Sequence, residues 1–284
     1  MLIKIFSGLS VIATGITVFA ALMGQTWYNL IWITALLLVG YFLAIIVAYV
    51  LLMFIVTGLT INMKKPQEKP SKFWIKQLTM IAEAMCILFN VRIHATGIEK
   101  IPTDKRFLLV CNHRALFDPI VKIPLLKDYN VIFASKAENF KIPIGGRIMY
   151  KTGCLAMDRD NNREALKTIK KMAEYISSDE ASACIYPEGT RNKNDELLPF
   201  HAGSFKVAQK TGAPVVVMAL RNTDKIPRRG PFRKTDVYID VLKVIDGEFV
   251  KSNSTQVTAE IARNLIQNKL DEERKNESKE KVAT

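Results

Sequence analysis

From Ile5 to Met63 the chain has no aspartate, glutamate, lysine or arginine. Soluble domains are about one quarter charged, so this absence excludes a water-facing first domain. Ile5–Met23 makes a helix of about 28 Å, close to the ~30 Å hydrocarbon core of a bilayer. Leu30–Leu59 is longer than a span needs, and is expected to tilt or to extend one end into the headgroups. Gly24-Gln25-Thr26-Trp27-Tyr28-Asn29 between them is polar and aromatic, as suits a turn at the interface. The alternative is a cleaved signal peptide followed by one anchor. Phe19-Ala20-Ala21-Leu22-Met23 offers a poor small-x-small cleavage pattern for it. Lys4 precedes the first span, and Lys64, Lys65, Lys69 and Lys72 follow the second. Both ends of the hairpin are therefore expected in the cytoplasm, with residues 64–270 forming a cytoplasmic domain and 271–284 a charged, frayed tail.

Cysteine and histidine are scarce. The four cysteines, Cys86, Cys111, Cys154 and Cys184, lie in apolar surroundings without CxxC spacing. They read as buried thiols in a reducing compartment, not as disulfides or metal ligands. No metal-ligand cluster is evident, and no metal or cofactor is expected. The chain also lacks a G-x-S-x-G elbow, so the sequence gives an acyl-enzyme no support.

Positive charge is abundant by contrast. The part after Met63 holds 39 of the 40 basic residues and all 27 acidic ones, a net charge of +12. Such a surface attracts anionic lipid headgroups or an acidic carrier or cofactor. Nucleic acid is the other standard partner of a basic domain, but the tether and the lack of a nucleic-acid motif argue against it.

Beyond a short linker at Pro66–Pro70, Phe73–Phe89 is helical by pattern and unusually apolar, so it packs under the domain or lies on a bilayer. Short β-rich runs follow at Val91–Ala95, Phe107–Cys111, Val131–Ser135, Leu155–Met157, Ala183–Tyr186, Val215–Leu220 and Val237–Ile245. A helix at Asn162–Ile176 sets Leu166, Ile169, Ala173 and Ile176 along one stripe. The alternation predicts an α/β fold, a mixed, largely parallel sheet flanked by helices, preceded by the two-helix transmembrane hairpin.

Three segments at strand ends carry candidate chemistry. Asn112-His113-Arg114-Ala115-Leu116-Phe117-Asp118 sets an imidazole five residues before a carboxylate. An acid can hold histidine in one tautomer and stabilise its cation, which suits proton removal from a hydroxyl. The structural reading is a core histidine beside a helix that Asp118 caps and Pro119 opens. Asp118 can also do both, with one oxygen for each task. His94 imitates the pattern with Glu99, but it sits within a strand run and Glu99 has Lys100 beside it, so His94 reads as structural. The second segment, Gly153-Cys154-Leu155-Ala156-Met157-Asp158-Arg159, places a guanidinium suited to phosphate or carboxylate where a strand ends. An Asp158–Arg159 surface pair is the structural alternative. The third, Tyr186-Pro187-Glu188-Gly189-Thr190-Arg191, offers an acceptor, a permissive glycine, a hydroxyl and a cation in one turn. A plain charged turn is its alternative. His201, just beyond in Phe200–Lys206, has no acid partner by sequence and reads as structural.

Asn-His-x4-Asp, Gly-x5-Arg and Pro-Glu-Gly-Thr-Arg together resemble the glycerolipid acyltransferases, and specifically the 1-acylglycerol-3-phosphate (lysophosphatidic acid) acyltransferases. Ala213-Pro214-Val215-Val216-Val217 looks like the fourth element of that family, and Ile142-Pro143-Ile144-Gly145-Gly146 resembles a segment between the first two. The likeness covers roughly Phe107 to Leu220. Arg114-Ala115 and Asn192 depart from the common pattern beside the motifs.

The resemblance implies transfer of an acyl group from acyl-CoA or an acyl carrier protein to the sn-2 hydroxyl of 1-acylglycerol 3-phosphate, giving phosphatidate. It implies His113 and Asp118 as catalytic residues, with Arg159, Glu188, Gly189, Thr190 and Arg191 binding the substrate phosphate, and Asn112 and Gly153 in support. Membrane phospholipids and lysophosphatidate are the expected partners, with an acyl carrier protein as a further one. The alternatives are an acyltransferase for another lipid acceptor and a non-catalytic lipid-binding protein of the same fold.

Overall fold

A computed structural model of the chain describes residues 1–21, 27–65, 69–158, 161–192, 194 and 196–283. Two apolar helices come first, α1 (Leu2–Ala21) and α2 (Trp27–Thr60). Both are long and apolar enough to cross a membrane. They touch through Thr17 Oγ1 and Tyr41 OH, 2.9 Å apart. Trp27–Asn29 of the expected turn already belong to α2, whereas its residues 24–26 lie outside the described residues, as do 66–68 of the linker.

The remaining elements alternate as the sequence predicts: α3 (Lys72–Leu88), β1 (Val91–Thr96), β2 (Leu108–Cys111), α4 (Phe117–Lys122), β3 (Val131–Lys136), α5 (Gly145–Lys151), β4 (Leu155–Met157), α6 (Asn162–Ser177), β5 (Ser182–Ile185), α7 (Lys206–Thr211), β6 (Val215–Arg221), α8 (Ile226–Arg229), β7 (Thr235–Ile245), α9 (Gly247–Ser252) and α10 (Thr255–Ala283). Seven strands form one sheet in the order β1-β7-β6-β2-β5-β3-β4. Every neighbouring pair is parallel except β6 and β7. The C-terminal ends of β2, β3, β4, β5 and β6 therefore share one end of the sheet with the starts of β7 and β1.

Burial explains the strand sequences. A sheet covered on both faces selects continuous apolar runs. Leu108, Val110, Ala183, Val215 and Val217 face α6, α7 and α10. Leu109, Cys111, Cys184, Val216 and Met218 face the other way, toward α3 and α4. On α6, Asn161 accepts from the backbone N–H of Arg163 and Glu164, a good N-cap. Ile169, Ala173 and Ile176 reach the core, but Leu166 is exposed and drops out of the expected stripe.

Helix α3 packs rather than floating free, with Trp74 buried against Met53, Ile61 and Ile148. The C-terminal segment differs from expectation. Residues from Asp271 onward continue α10 to Ala283 instead of fraying. The pairs Lys269–Glu273, Arg274–Asp271 and Arg221–Glu273 tie the start of this segment to its own helix and to β6.

Candidate active site

Strand β2 is fully buried, and the side chain of Asn112 directly after it closes a two-way clamp on β6. Its Nδ2 donates to the Leu220 carbonyl at 2.9 Å, and its Oδ1 accepts from the Leu220 N–H at 2.8 Å. The chain then turns, and Asp118 on α4 comes back toward His113. Asp118 Oδ2 lies 2.6 Å from His113 Nδ1. The same oxygen accepts from the N–H groups of Arg114 (2.6 Å) and Ala115 (3.1 Å). Asp118 thus acts back on its own loop and is not the helix cap; the residue before α4 is Leu116. The division of labour between two oxygens also fails, because Oδ1 is buried with no hydrogen-bond partner among the described residues. A carboxylate at Nδ1 fixes that nitrogen as the protonated one in neutral imidazole and leaves the lone pair on Nε2.

The Pro-Glu-Gly-Thr-Arg loop closes over this pair. Glu188 Oε1 accepts from the His113 N–H at 2.8 Å, and the Asn192 N–H donates to the His113 carbonyl at 2.7 Å. Glu188 Oε2 takes the Asn192 side-chain amide (3.0 Å) and the Leu198 N–H (3.2 Å). All three bonds to Glu188 are accepted from N–H groups, so the carboxylate is engaged in holding its own loops. Glu188 thus seats His113 through its backbone, a positioning contact that the phosphate-binding expectation did not include. Asn192, a departure from the usual pattern, completes that contact. Gly189 holds φ +72°, and a Cβ there would stand 2.9 Å from His201 Nε2. His201, read from sequence as merely structural, packs directly on the loop. Thr190 and Arg191 face outward at this end, Arg191 exposed and one residue from the Asn192–His113 bond.

Two further residues belong to the site and were missed. The Tyr186 ring stacks on His113, with centroids 4.1 Å apart at 23°. Lys122 Nζ lies 4.2 Å from the Tyr186 ring centre, 2.7 Å from Cys111 Sγ and 3.3 Å from Cys184 Sγ. Lys122 is fully buried. Burial alone would lower its pKa, but the Cys111 and Cys184 sulfurs and the Asp118 carboxylate hold it above the ordinary lysine value. Burial likewise pushes Cys184 up, yet its hydrogen bond from Cys111 and the Lys122 cation bring it down to about 7. Burial and that same bond push Cys111 well up. The sequence signal was a lysine one turn after Asp118 in an otherwise apolar helix.

The remaining candidates separate. His94 pairs with Asp236 at 2.8 Å and stacks on Tyr238, so Glu99 is not its partner. Gly153 (φ +87°) makes the turn into β4 with Pro70 and Ile132 against it. It sits at the opposite end of the sheet from His113 and supports the fold, not the site. Arg159 lies outside the described residues, although β4 leads toward the site end. Lys136 ends β3 in register with Met157 and adds an exposed cation there that sequence reasoning passed over.

Residues 92–221 match the family described as Acyltransferase. A 1-acyl-sn-glycerol-3-phosphate acyltransferase of Borreliella burgdorferi is 31% identical over 196 residues, covering 64% of this chain and 76% of the relative. The chloroplastic 1-acyl-sn-glycerol-3-phosphate acyltransferase of Brassica napus is 33% identical over 174 residues, 60% of this chain and 48% of its own length. The Saccharomyces cerevisiae 1-acyl-sn-glycerol-3-phosphate acyltransferase is 26% identical over 192 residues, 66% and 63% respectively. The chain thus spans about half to two thirds of the length of these last two. The crystal structure of the 1-acyl-sn-glycerophosphate (LPA) acyltransferase PlsC from Thermotoga maritima shares the fold, with a TM-score of 0.62 at 20% identity over 82% of this chain and 92% of that one. Because the Borreliella burgdorferi enzyme is 31% identical and matched over 76% of its length, the chain belongs to the 1-acyl-sn-glycerol-3-phosphate acyltransferase family.

Proposed function

We propose that the chain transfers a fatty acyl group from an acyl thioester, acyl-CoA or acyl carrier protein, to the sn-2 hydroxyl of 1-acylglycerol 3-phosphate. The observation that carries this reading is a histidine with Nδ1 bound to a buried carboxylate and Nε2 left as the basic nitrogen. His113 Nε2 takes the hydroxyl proton as the oxygen attacks the thioester carbon, and Asp118 stabilises the imidazolium. The carbon–sulfur bond breaks, and the leaving thiolate takes the proton back from the His113 imidazolium, which restores the base. Thiols have pKa values near ~8.5, so the leaving group needs little acid help. No protein nucleophile enters the step.

The acceptor phosphate falls to Arg159 and Arg191, with Gly189 and Thr190 shaping the loop; guanidinium forks suit phosphate oxygens. In this reading α1 and α2 form the membrane anchor with both ends in the cytoplasm. Their outward side chains, including Ile12, Ile16, Trp32 and Leu36, are exposed apolar groups that lipid would cover. Residues 64–270 then work on lipid substrates in place.

The test is turnover by the purified full chain in detergent, given lysophosphatidate with acyl-CoA or acyl carrier protein thioesters of several chain lengths. Phosphatidate formation that His113→Ala abolishes supports the reading, and its absence from folded wild type overturns it. Equal use of lysophospholipids lacking the phosphate monoester would move the assignment to another acceptor.

A further inference from the structure

Phe232 is 94% exposed, the most exposed large apolar side chain among the described residues. It sits in Lys225-Ile226-Pro227-Arg228-Arg229-Gly230-Pro231-Phe232-Arg233-Lys234, with five cations in ten residues and no acid. The loop is built, not loose. Ile226 is fully buried, the Gly230 N–H donates to the Ile226 carbonyl at 3.0 Å, and Arg229 Nη1 donates to the Lys234 carbonyl at 3.0 Å. Gly230 takes φ +58°, which glycine adopts without a Cβ penalty. The fold therefore spends a fixed turn on holding a phenylalanine in the open between arginines.

Its position follows from topology. The loop joins the end of β6 to the start of β7, the same end of the sheet that carries His113 and Arg191. Asp224, just before it, is bound by Arg114 at 3.1 Å. The Thr235 N–H, just after it, donates to the Asn90 carbonyl at 3.0 Å. Asn90 lies two residues past α3, whose last residues Ile87 and Leu88 are exposed apolar groups, as is Leu116 at the start of α4. One turn before Ile87, Glu83 holds the amino group of Met1 at 3.2 Å. The first apolar helix thus begins beside this rim.

We propose that the 225–234 loop is a second membrane contact: Phe232 inserts among acyl chains while Arg228, Arg229 and Arg233 bind anionic headgroups, turning the mouth of the active site toward the bilayer. An aromatic ring flanked by basic residues is the composition that interfacial insertion requires. Each basic residue near an anionic leaflet strengthens association by roughly fivefold. The proposal rests on the hairpin reading of α1 and α2, which the experiment tests separately.

The four native thiols are buried, so Phe232→Cys can be labelled with an environment-sensitive thiol dye in the full chain. Lys210→Cys is the control: it is exposed on α7, which leads into the start of β6 at the opposite end. Each is reconstituted into phosphatidylcholine vesicles with and without phosphatidylglycerol, carrying a quencher on the acyl chains. The expected result with phosphatidylglycerol is blue-shifted emission and strong quenching at 232 and neither at 210. Reversing Arg228, Arg229 and Arg233 to Glu should remove most of the quenching. A label at 232 that emits as in water in anionic vesicles overturns the proposal, and equal quenching without phosphatidylglycerol overturns the headgroup assignment. Alkaline extraction of the wild type from vesicles would instead overturn the hairpin reading, and this contact with it.

Discussion

His113 Nδ1 and Asp118 Oδ2 stand 2.6 Å apart, and that one oxygen also receives the N–H groups of residues 114 and 115. A single atom therefore sets both the tautomer of the base and the path of the loop that carries it. Asp118→Asn keeps the shape but replaces an anionic acceptor, so the neutral ring loses its enforced tautomer and its cation loses a counter-charge. The expected loss in kcat is ~10²–10⁴-fold, close to that of His113→Ala, with the thioester KM little changed. Steady-state kinetics on both variants check it; a near wild-type Asp118→Asn enzyme would refute the pairing.

Glu188 gives a prediction that separates a strut from a phosphate ligand. Glu188→Gln turns one acceptor oxygen into a donor facing buried N–H groups. One unsatisfied buried group costs about 1–3 kcal/mol, enough to lower the Tm by several degrees in a domain of this size. The kcat should fall as His113 loses its seat, while the KM for lysophosphatidate stays within about twofold. A large rise in that KM with an unchanged Tm would support the ligand role.

Much of this site is legible in the amino-acid sequence, for physical reasons. Strands β2, β5 and β6 are buried on both faces, so their apolar runs place each strand to within one residue of its observed ends. Positive φ at Gly189 was legible as permissiveness. Roles that depend on direction were not. Nothing local says that Glu188 points inward to the His113 N–H, that His201 packs on Gly189, or that Tyr186 stacks on His113. These contacts link residues 12 to 75 positions apart on different elements, and residue type alone left Glu188 looking like a loop charge.

The buried Lys122 yields a pH signature. A thiol beside a cation ionises more readily, and Cys184 is brought to about 7, below the free value of ~8.5. Wild type should therefore gain ultraviolet thiolate absorbance as pH rises through about 7, a step that Cys184→Ala removes. Lys122→Met takes away the cation and leaves burial, which raises a thiol pKa, so the step should move above the free-cysteine value. Removing one partner of a buried charged pair typically costs about 3–5 kcal/mol, but here the thiol can take up a proton and relieve the unpaired charge. The variant should fold, and circular dichroism beside the titration verifies this.

Gly189 decides between two sources of strain. A Cβ at this position meets His201 Nε2 at 2.9 Å and Cδ2 at 3.0 Å, while the backbone holds φ +72°. The His201 ring is exposed and is the far end of a side chain, so it can swing away at little cost. The left-handed backbone cannot relax without moving Glu188 and Asn192, which hold His113. It carries a penalty of roughly 1–2 kcal/mol for any residue with a Cβ. Gly189→Ala should therefore destabilise by about that amount and lower kcat/KM for the acceptor. Adding His201→Ala should recover only a minor part, since it relieves the smaller term. Denaturant unfolding of the two single variants and the double variant measures the coupling directly. Full recovery in the double variant would show that the imidazole, not the backbone, is what the glycine accommodates.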